Sequence, residues 1–319
     1  MEKKDLRIVF FGTPDFAVCS LRALLDSGFN VVAVVTATDK PAGRGKKLQP
    51  SAVKQFASER GLPVLQPEKL KDPEFVETLR GYAADLFIVI AFRMLPEVVW
   101  QMPRLGTFNL HASLLPRYRG AAPINWAVIN GDRQTGVTTF FLKHEIDTGD
   151  VIDRESIEIA DSDDAGTVHD RLMELGARLT VKTVERIVDG NLTATPQSEL
   201  TDRQPTPAPK IFKDTCRIDW KQPAEKIHNL VRGLSPYPTA WTELYAGETP
   251  EGSLKIFQTR LTDRPASAPG RVTVEGDRML VDCGDRQLEI LSLQAPGKRR
   301  MPTPDFLRGC RYQQMKVKS

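Results

Sequence analysis

Residues 6–35 read LRIVFFGTPDFAVCSLRALLDSGFNVVAVV, and their hydrophobic spacing decides the fold. Leu6 to Phe11 is an apolar run of strand length, closed by the turn formers Gly12, Thr13 and Pro14. Phe16, Leu21, Leu24 and Leu25 then recur at helical spacing up to a stop at Gly28, and Val31 to Val35 is a second buried run. Strand, helix and strand within about thirty residues make a βαβ unit, whose parallel strands need helices on both faces.

The alternation continues outward from this unit. Helices are expected at 51–60, 72–80 and 122–130, and strands at 63–65, 85–91 and 107–110. Two more strands, 137–142 and 151–159, precede a long helix at 164–188. The expected class is a doubly wound α/β domain, Rossmann-like and mostly parallel, with the C-terminal ends of its strands as the working edge. Residues 193–210, TATPQSELTDRQPTPAPK, are rich in Pro, Ser and Thr and read as an extended linker. Beyond it, one helix at 223–234 is followed by short strands at 239–245, 254–259, 271–274, 278–283 and 288–293. Gly and Pro punctuate these at hairpin distances, which favours a small OB-like antiparallel barrel. The expected organisation is a catalytic domain over 1–190, a linker over 191–209 and a barrel domain over 210–319.

The composition, 40% hydrophobic and 27% charged in 319 residues, is that of an ordinary globular protein of two domains. The first apolar run is too short for a signal peptide or membrane span, and no other approaches ~20 residues, so a cytoplasmic location is expected. Cys19, Cys216, Cys283 and Cys310 form no CxxC pair, which argues against a zinc knuckle or a disulfide framework. The net charge of +3 conceals a segregation. Residues 210–319 hold 19 Lys and Arg against 13 Asp and Glu, whereas the first 209 hold 25 against 28. A basic C-terminal part suggests a polyanionic partner, although a solvated basic surface would look the same.

Chemistry is concentrated at 107–123, TFNLHASLLPRYRGAAP, where a strand delivers Asn109 and His111 two residues apart and therefore on one face. An amide and an imidazolium aimed at one point are donors for the oxyanion of an acyl transfer. The polar turn 143–150, KHEIDTGD, could bring the carboxylate of Asp147 to the imidazole, where it would keep the ring a donor and help remove a proton. Ser113 sits in no nucleophile-elbow pattern, so the nucleophile is expected from the substrate. A hydrogen-bonded structural histidine remains an alternative, as does a metal site of His111, His144 and Asp147. Gly12-Thr13-Pro14 occupies the place of a dinucleotide fingerprint without its glycines, and Pro14 removes an amide that a pyrophosphate would use, so NAD is a poor fit. The loop 39–47, DKPAGRGKK, is basic, Gly-flanked and suited to phosphates, or else a plain crossover loop.

Six motifs in order, FGTPDFA at 11–17, DKPAGRGKK at 39–47, NLHASLLPRYRGAAPI at 109–124, IDTGD at 146–150, RIDW at 217–220 and LSLQAPGKR at 291–299, resemble the methionyl-tRNA formyltransferase family of folate-dependent formyltransferases nearly end to end. The resemblance implies that 10-formyltetrahydrofolate donates a formyl group to the α-amine of methionine on initiator tRNA, with no metal and no NAD. It places the family's asparagine, histidine and aspartate on Asn109, His111 and Asp147. Phe92, Ser113, Leu114, Leu115, Pro116 and Asp147 are implied folate contacts, and Lys40, Arg44, Lys46 and Lys47 implied tRNA contacts. The barrel would touch the tRNA backbone, and the chain would act as a monomer with no membrane partner. Two rivals share the scaffold: a formyltransferase for a small amine, a purine precursor or a nucleotide sugar, and a noncatalytic tRNA-binding protein. Ala112 stands where many relatives have glycine, 91–96 is one residue shorter than their tyrosine-glycine loop, and Arg93 has no assigned role.

Overall fold

The computed structural model describes residues 2–42, 47–200, 204–309 and 315–318, and for Ala42 and Lys47 the backbone alone. In chain order the first elements are β1 (Arg7–Gly12), α1 (Asp15–Asp26), β2 (Asn30–Val35), β3 (Lys40–Ala42), β4 (Lys47–Gln49) and α2 (Ala52–Glu59). There follow β5 (Val64–Leu65), α3 (Pro73–Gly81), β6 (Leu86–Ile90), α4 (Glu97–Trp100), β7 (Thr107–His111) and β8 (Arg119–Gly120). Next come α5 (Pro123–Ile129), β9 (Gln134–Phe141), β10 (Val151–Glu158), the long α6 (Ala165–Val188) and β11 (Pro207–Ala208). The remainder is α7 (Ala224–Leu234), β12 (Ala240–Ala246), β13 (Thr249–Pro265), β14 (Val272–Glu275), β15 (Arg278–Asp282), β16 (Arg286–Gln294), β17 (Met301–Pro302), α8 (Thr303–Arg308) and β18 (Met315–Lys318).

The first sheet has the order β10-β9-β7-β6-β1-β2-β5. β1 pairs in parallel with both β2 and β6, β6 pairs in parallel with β7, and β9 then runs antiparallel to β7. The fold is therefore doubly wound and mostly parallel, as the alternating runs indicated. Its central strands are buried on both faces because every residue from Ile8 to Phe11 and from Leu86 to Ile90 is apolar. Val9, Phe11, Phe87 and Val89 pack on Phe75, Val76 and Leu79 of α3. The strand order reverses between β1 and β6, so the crevice expected of such sheets opens at Gly12 and Ile90. A Cβ at Gly12 would meet Ala17 Cβ at 2.6 Å and the Ile90 carbonyl at 3.2 Å. This glycine serves the close approach of strand and helix.

The second sheet has the order β14-β15-β16-β13-β12-β18, with β17 on β16, and its neighbouring strands run antiparallel. Arg271 bridges to Lys316, which brings the two ends of the sheet together and nearly closes the expected barrel. Its interior is filled by Ile218, Trp220, Leu254, Ile256, Leu288, Ile290 and Val317 beneath Ile227 and Val231 of α7.

The chain forms two compact units that interleave in sequence: 1–120, 136–157 and 170–207 make one, and 121–135, 158–169 and 208–319 the other. Helix α5 joins the second unit through α7. Asn125 donates to the Gly233 carbonyl at 2.8 Å, and a Cβ at Gly233 would lie 2.4 Å from Ile129, so only glycine permits this approach. Residues 191–200 and 204–207 belong with the first unit, where Thr195 exchanges two backbone hydrogen bonds with Val151.

Candidate active site

Strand β7 sets Asn109 and His111 on one face at the C-terminal edge of the first sheet. The His111 ring is almost wholly buried, with Phe140 edge-on at 6.4 Å between centroids. Its Nε2 lies 2.8 Å from the Tyr118 carbonyl oxygen. A carbonyl only accepts, so Nε2 carries the hydrogen and Nδ1 is the nitrogen free to exchange a proton. Nδ1 faces Asp147 Oδ2 at 3.8 Å. That separation exceeds the length of a direct hydrogen bond.

Asp147 reaches this position from the turn after β9. It adopts a left-handed φ of 55°, a conformation that aspartate tolerates better than most residues. Gly120 N–H donates to its Oδ2 at 2.9 Å, and Gln197 Nε2 donates to its carbonyl at 2.8 Å and to that of Gly149 at 2.9 Å. A Cβ at Gly149 would lie 1.5 Å from the Phe141 carbonyl oxygen, so the turn closes only around glycine. Among the described residues no hydrogen bond engages the Asn109 side chain, which leaves its amide open to a substrate.

The other expected contacts divide. Ser113 and Leu115 are fully buried: the Ser113 hydroxyl donates to the Arg117 carbonyl at 2.6 Å, and Leu115 packs with Phe140 and Val151. Leu114 and Pro116 are buried too. These four side chains are buried, so a ligand would meet little of them beyond the backbone. Phe92 lies at the switch-point crevice, edge-on to Phe11 at 5.8 Å. Arg93, which had no assigned role, donates to the Pro67 and Glu68 carbonyls and braces the short loop that begins at Ala91 with a φ of 48°. Ala112 does not have a positive φ, so alanine fits this position without strain.

At the two ends of the basic loop β3 pairs antiparallel with β4, and Lys40 is exposed on this ribbon. Arg44 and Lys46 lie outside the described residues, as does the side chain of Lys47. The ribbon's base is pinned by Asp39, which takes Lys54 at 2.7 Å and Gln66 at 2.8 Å; these bonds hold its carboxyl below the usual carboxylate range. His144, an alternative metal ligand, instead pairs with Glu97 at 3.0 Å and stands edge-on to Trp100. Among the described residues no cluster of three His, Cys, Asp or Glu could hold a metal. None of their helices is long and apolar enough to cross a membrane. Sequence reasoning missed Tyr118, Arg119, Gln197 and Thr206 as parts of this site; the Arg-Gly pair at 119–120 was visible, but nothing marked Gln197.

A doubly wound sheet with an amide, an imidazole and a carboxylate at its edge, followed by a small barrel, is the build of a formyltransferase. The formyl transferase family model matches residues 6–184, and that of the formyl transferase C-terminal domain matches 210–311. Methionyl-tRNA formyltransferase of Bacteroides fragilis is 58% identical over 312 residues, 97% of this chain and 96% of that protein. The protein of the same name from Parabacteroides distasonis is 60% identical over 314 residues, 97% of each. The chain belongs to the methionyl-tRNA formyltransferase family. Among solved structures, HypX of Aquifex aeolicus in complex with tetrahydrofolic acid superposes with a TM-score of 0.64 at 18% identity, over 95% of this chain and 47% of that one. The sugar 3N-formyl transferase WlaRD superposes with a TM-score of 0.63 at 19% identity, over 92% of this chain and 99% of that one.

Proposed function

We propose that this chain transfers the formyl group of 10-formyltetrahydrofolate to the α-amino group of methionyl-initiator tRNA, with Asn109, His111 and Asp147 as the catalytic residues. The observation that carries the reading is His111 Nδ1 directed at Asp147 Oδ2 across 3.8 Å, with the open amide of Asn109 on the same strand face. This set fits a formyl group: Asn109 offers an N–H donor and His111 a second donor at Nδ1 when the ring is charged. As the methionine nitrogen bonds to the formyl carbon, both donors stabilise the oxyanion. Asp147 holds the imidazolium and takes the proton the amine must lose. Breakage of the bond from the formyl carbon to folate N10 completes the transfer, and a proton delivered to N10 gives tetrahydrofolate. Phe92 supplies an apolar wall for the pterin, and backbone groups of 113–116 complete the pocket.

The partner side of the reading rests on charge. Lys40, Arg44, Lys46 and Lys47 enter the acceptor end of the tRNA, where an unpaired terminus admits side chains that a deep A-form groove excludes. The barrel, richer in Lys and Arg, contacts the tRNA backbone. The protein works as a monomer in the cytoplasm.

The test is one assay with three acceptors: labelled 10-formyltetrahydrofolate with methionyl-initiator tRNA, with small amines, and with neither. Label entering the tRNA alone is expected. Transfer to a small amine would move the reading to a small-molecule formyltransferase, and no transfer at all would leave a tRNA-binding protein.

A further inference from the structure

Between the regions matched by the two family models, 6–184 and 210–311, runs a segment that neither covers. It carries two side chains that reach the opposite ends of the His111 and Asp147 pair. Gln197 is buried to 6% exposure with the whole capacity of its amide in use. Its Oε1 accepts from Arg119 Nε at 3.1 Å and Nη2 at 2.7 Å, and its Nε2 donates to the carbonyls of Asp147 and Gly149. Asp147 is held at both ends by this arrangement, since the residue after Arg119, Gly120, donates to its carboxylate. Thr206 acts on the other end. Its Oγ1 accepts from Tyr118 N–H at 2.9 Å and its carbonyl accepts from Arg119 N–H at 2.9 Å. Tyr118 has a φ of 60°, and its carbonyl is the one that orients His111.

We infer that Gln197 and Thr206 are positioning residues for formyl transfer, Gln197 through the turn that carries Asp147 and Thr206 through the peptide that aims His111. The inference rests on the catalytic reading of His111 and Asp147 given above. A buried amide whose oxygen is held by Arg119 and whose nitrogen is held by the turn at 147–149 has a single geometry, which is what a catalytic carboxylate needs from its support. Displacement of such a group by about 1 Å can cost on the order of 100-fold in rate. The stretch that reads as a spacer in the sequence thus supplies part of the active site's frame.

The experiment compares full-length Gln197→Ala, Thr206→Val and Thr206→Ser with the native chain in formylation of methionyl-tRNA. For Gln197→Ala and Thr206→Val, kcat should fall about 10- to 100-fold while KM for both substrates stays within about 3-fold. Thr206→Ser, which keeps the acceptor oxygen, should return to within about 2-fold of native. Gln197→Ala placed on an Asp147→Asn background should cost less than about 2-fold more, because the carboxylate it positions is already gone. If Gln197→Ala melts at a lower temperature, Thr206→Val and its serine rescue decide the matter. Native kcat in Thr206→Val would overturn the inference, as would a full additional loss from Gln197→Ala on the Asp147→Asn background. His111→Ala and Asp147→Asn run alongside: native rates in those two would sink the catalytic reading itself and the inference with it.

Discussion

Nε2 of His111 lies 2.8 Å from the carbonyl oxygen of Tyr118, a contact that only an Nε2–H can make. The neutral ring is therefore the Nε2–H tautomer, and its basic nitrogen, Nδ1, is the one turned toward Asp147. In nitrogen-15 NMR of the labelled protein, the neutral His111 ring should show a protonated Nε2 and a bare Nδ1. The opposite tautomer would detach the ring from Tyr118 and reverse the assignment of its roles.

The RIDW stretch at 217–220 serves the core of the barrel. Ile218 and Trp220 are buried at its centre, and Trp220 Nε1 donates to Thr242 Oγ1 at 3.0 Å. Trp220→Ala should therefore cost about 3–5 kcal/mol, as large aromatic deletions from cores do. A denaturant midpoint unchanged from native would show that the barrel is not built on this residue.

Much of this architecture can be read from the chain because period and burial agree. From Ile8 to Phe11 and from Leu86 to Ile90 a strand buried on both faces is a plain apolar run, and α3 shows its Asp72 cap and Pro73 start. Asn109 and His111 are legible because a strand's period of two puts them together. Gln197 and Thr206 are not, because their partners lie 48 to 88 residues away and their own neighbourhood is a Pro-rich stretch with no period. The ribbon of β3 and β4 is hidden for a similar reason: three-residue strands carry too few side chains to show alternation. The joining of α5 to α7 depends on Gly233 and Asn125, which meet across more than a hundred residues.

His228 gives the second unit a specific acid sensitivity. Burial, and after it the charge of Arg232, pushes its imidazole from 6.5 down to about 4, while Asp161 opposes the shift. Its Nδ1 is bonded to Thr259 Oγ1 at 2.8 Å. Between pH 6.5 and about 4 the unfolded chain binds a proton here that the folded chain refuses, so stability falls as pH falls through that window. Urea unfolding at pH 7 and pH 5 should show a smaller loss in His228→Gln than in the native protein. An equal loss in both would assign the acid sensitivity to other groups.

Arg44 stands on the basic loop between two glycines, and its guanidinium is suited to phosphate and base edges at the end of a helix. Arg44→Ala should weaken discrimination between initiator and elongator methionyl-tRNA, measured as the ratio of the two kcat/KM values. Unchanged rates on both substrates would remove the loop from recognition.

The most direct measurement is the single-turnover rate of formyl transfer to methionyl-initiator tRNA in Asn109→Ala, His111→Ala and Asp147→Asn, each at saturating 10-formyltetrahydrofolate. Convergence of these three side chains on one carbonyl-sized space requires losses of at least about 100-fold in each, with the fold and tRNA affinity retained. Rates within about 3-fold of native in His111→Ala would contradict it, since the chemistry would then run without the group on which the site is centred.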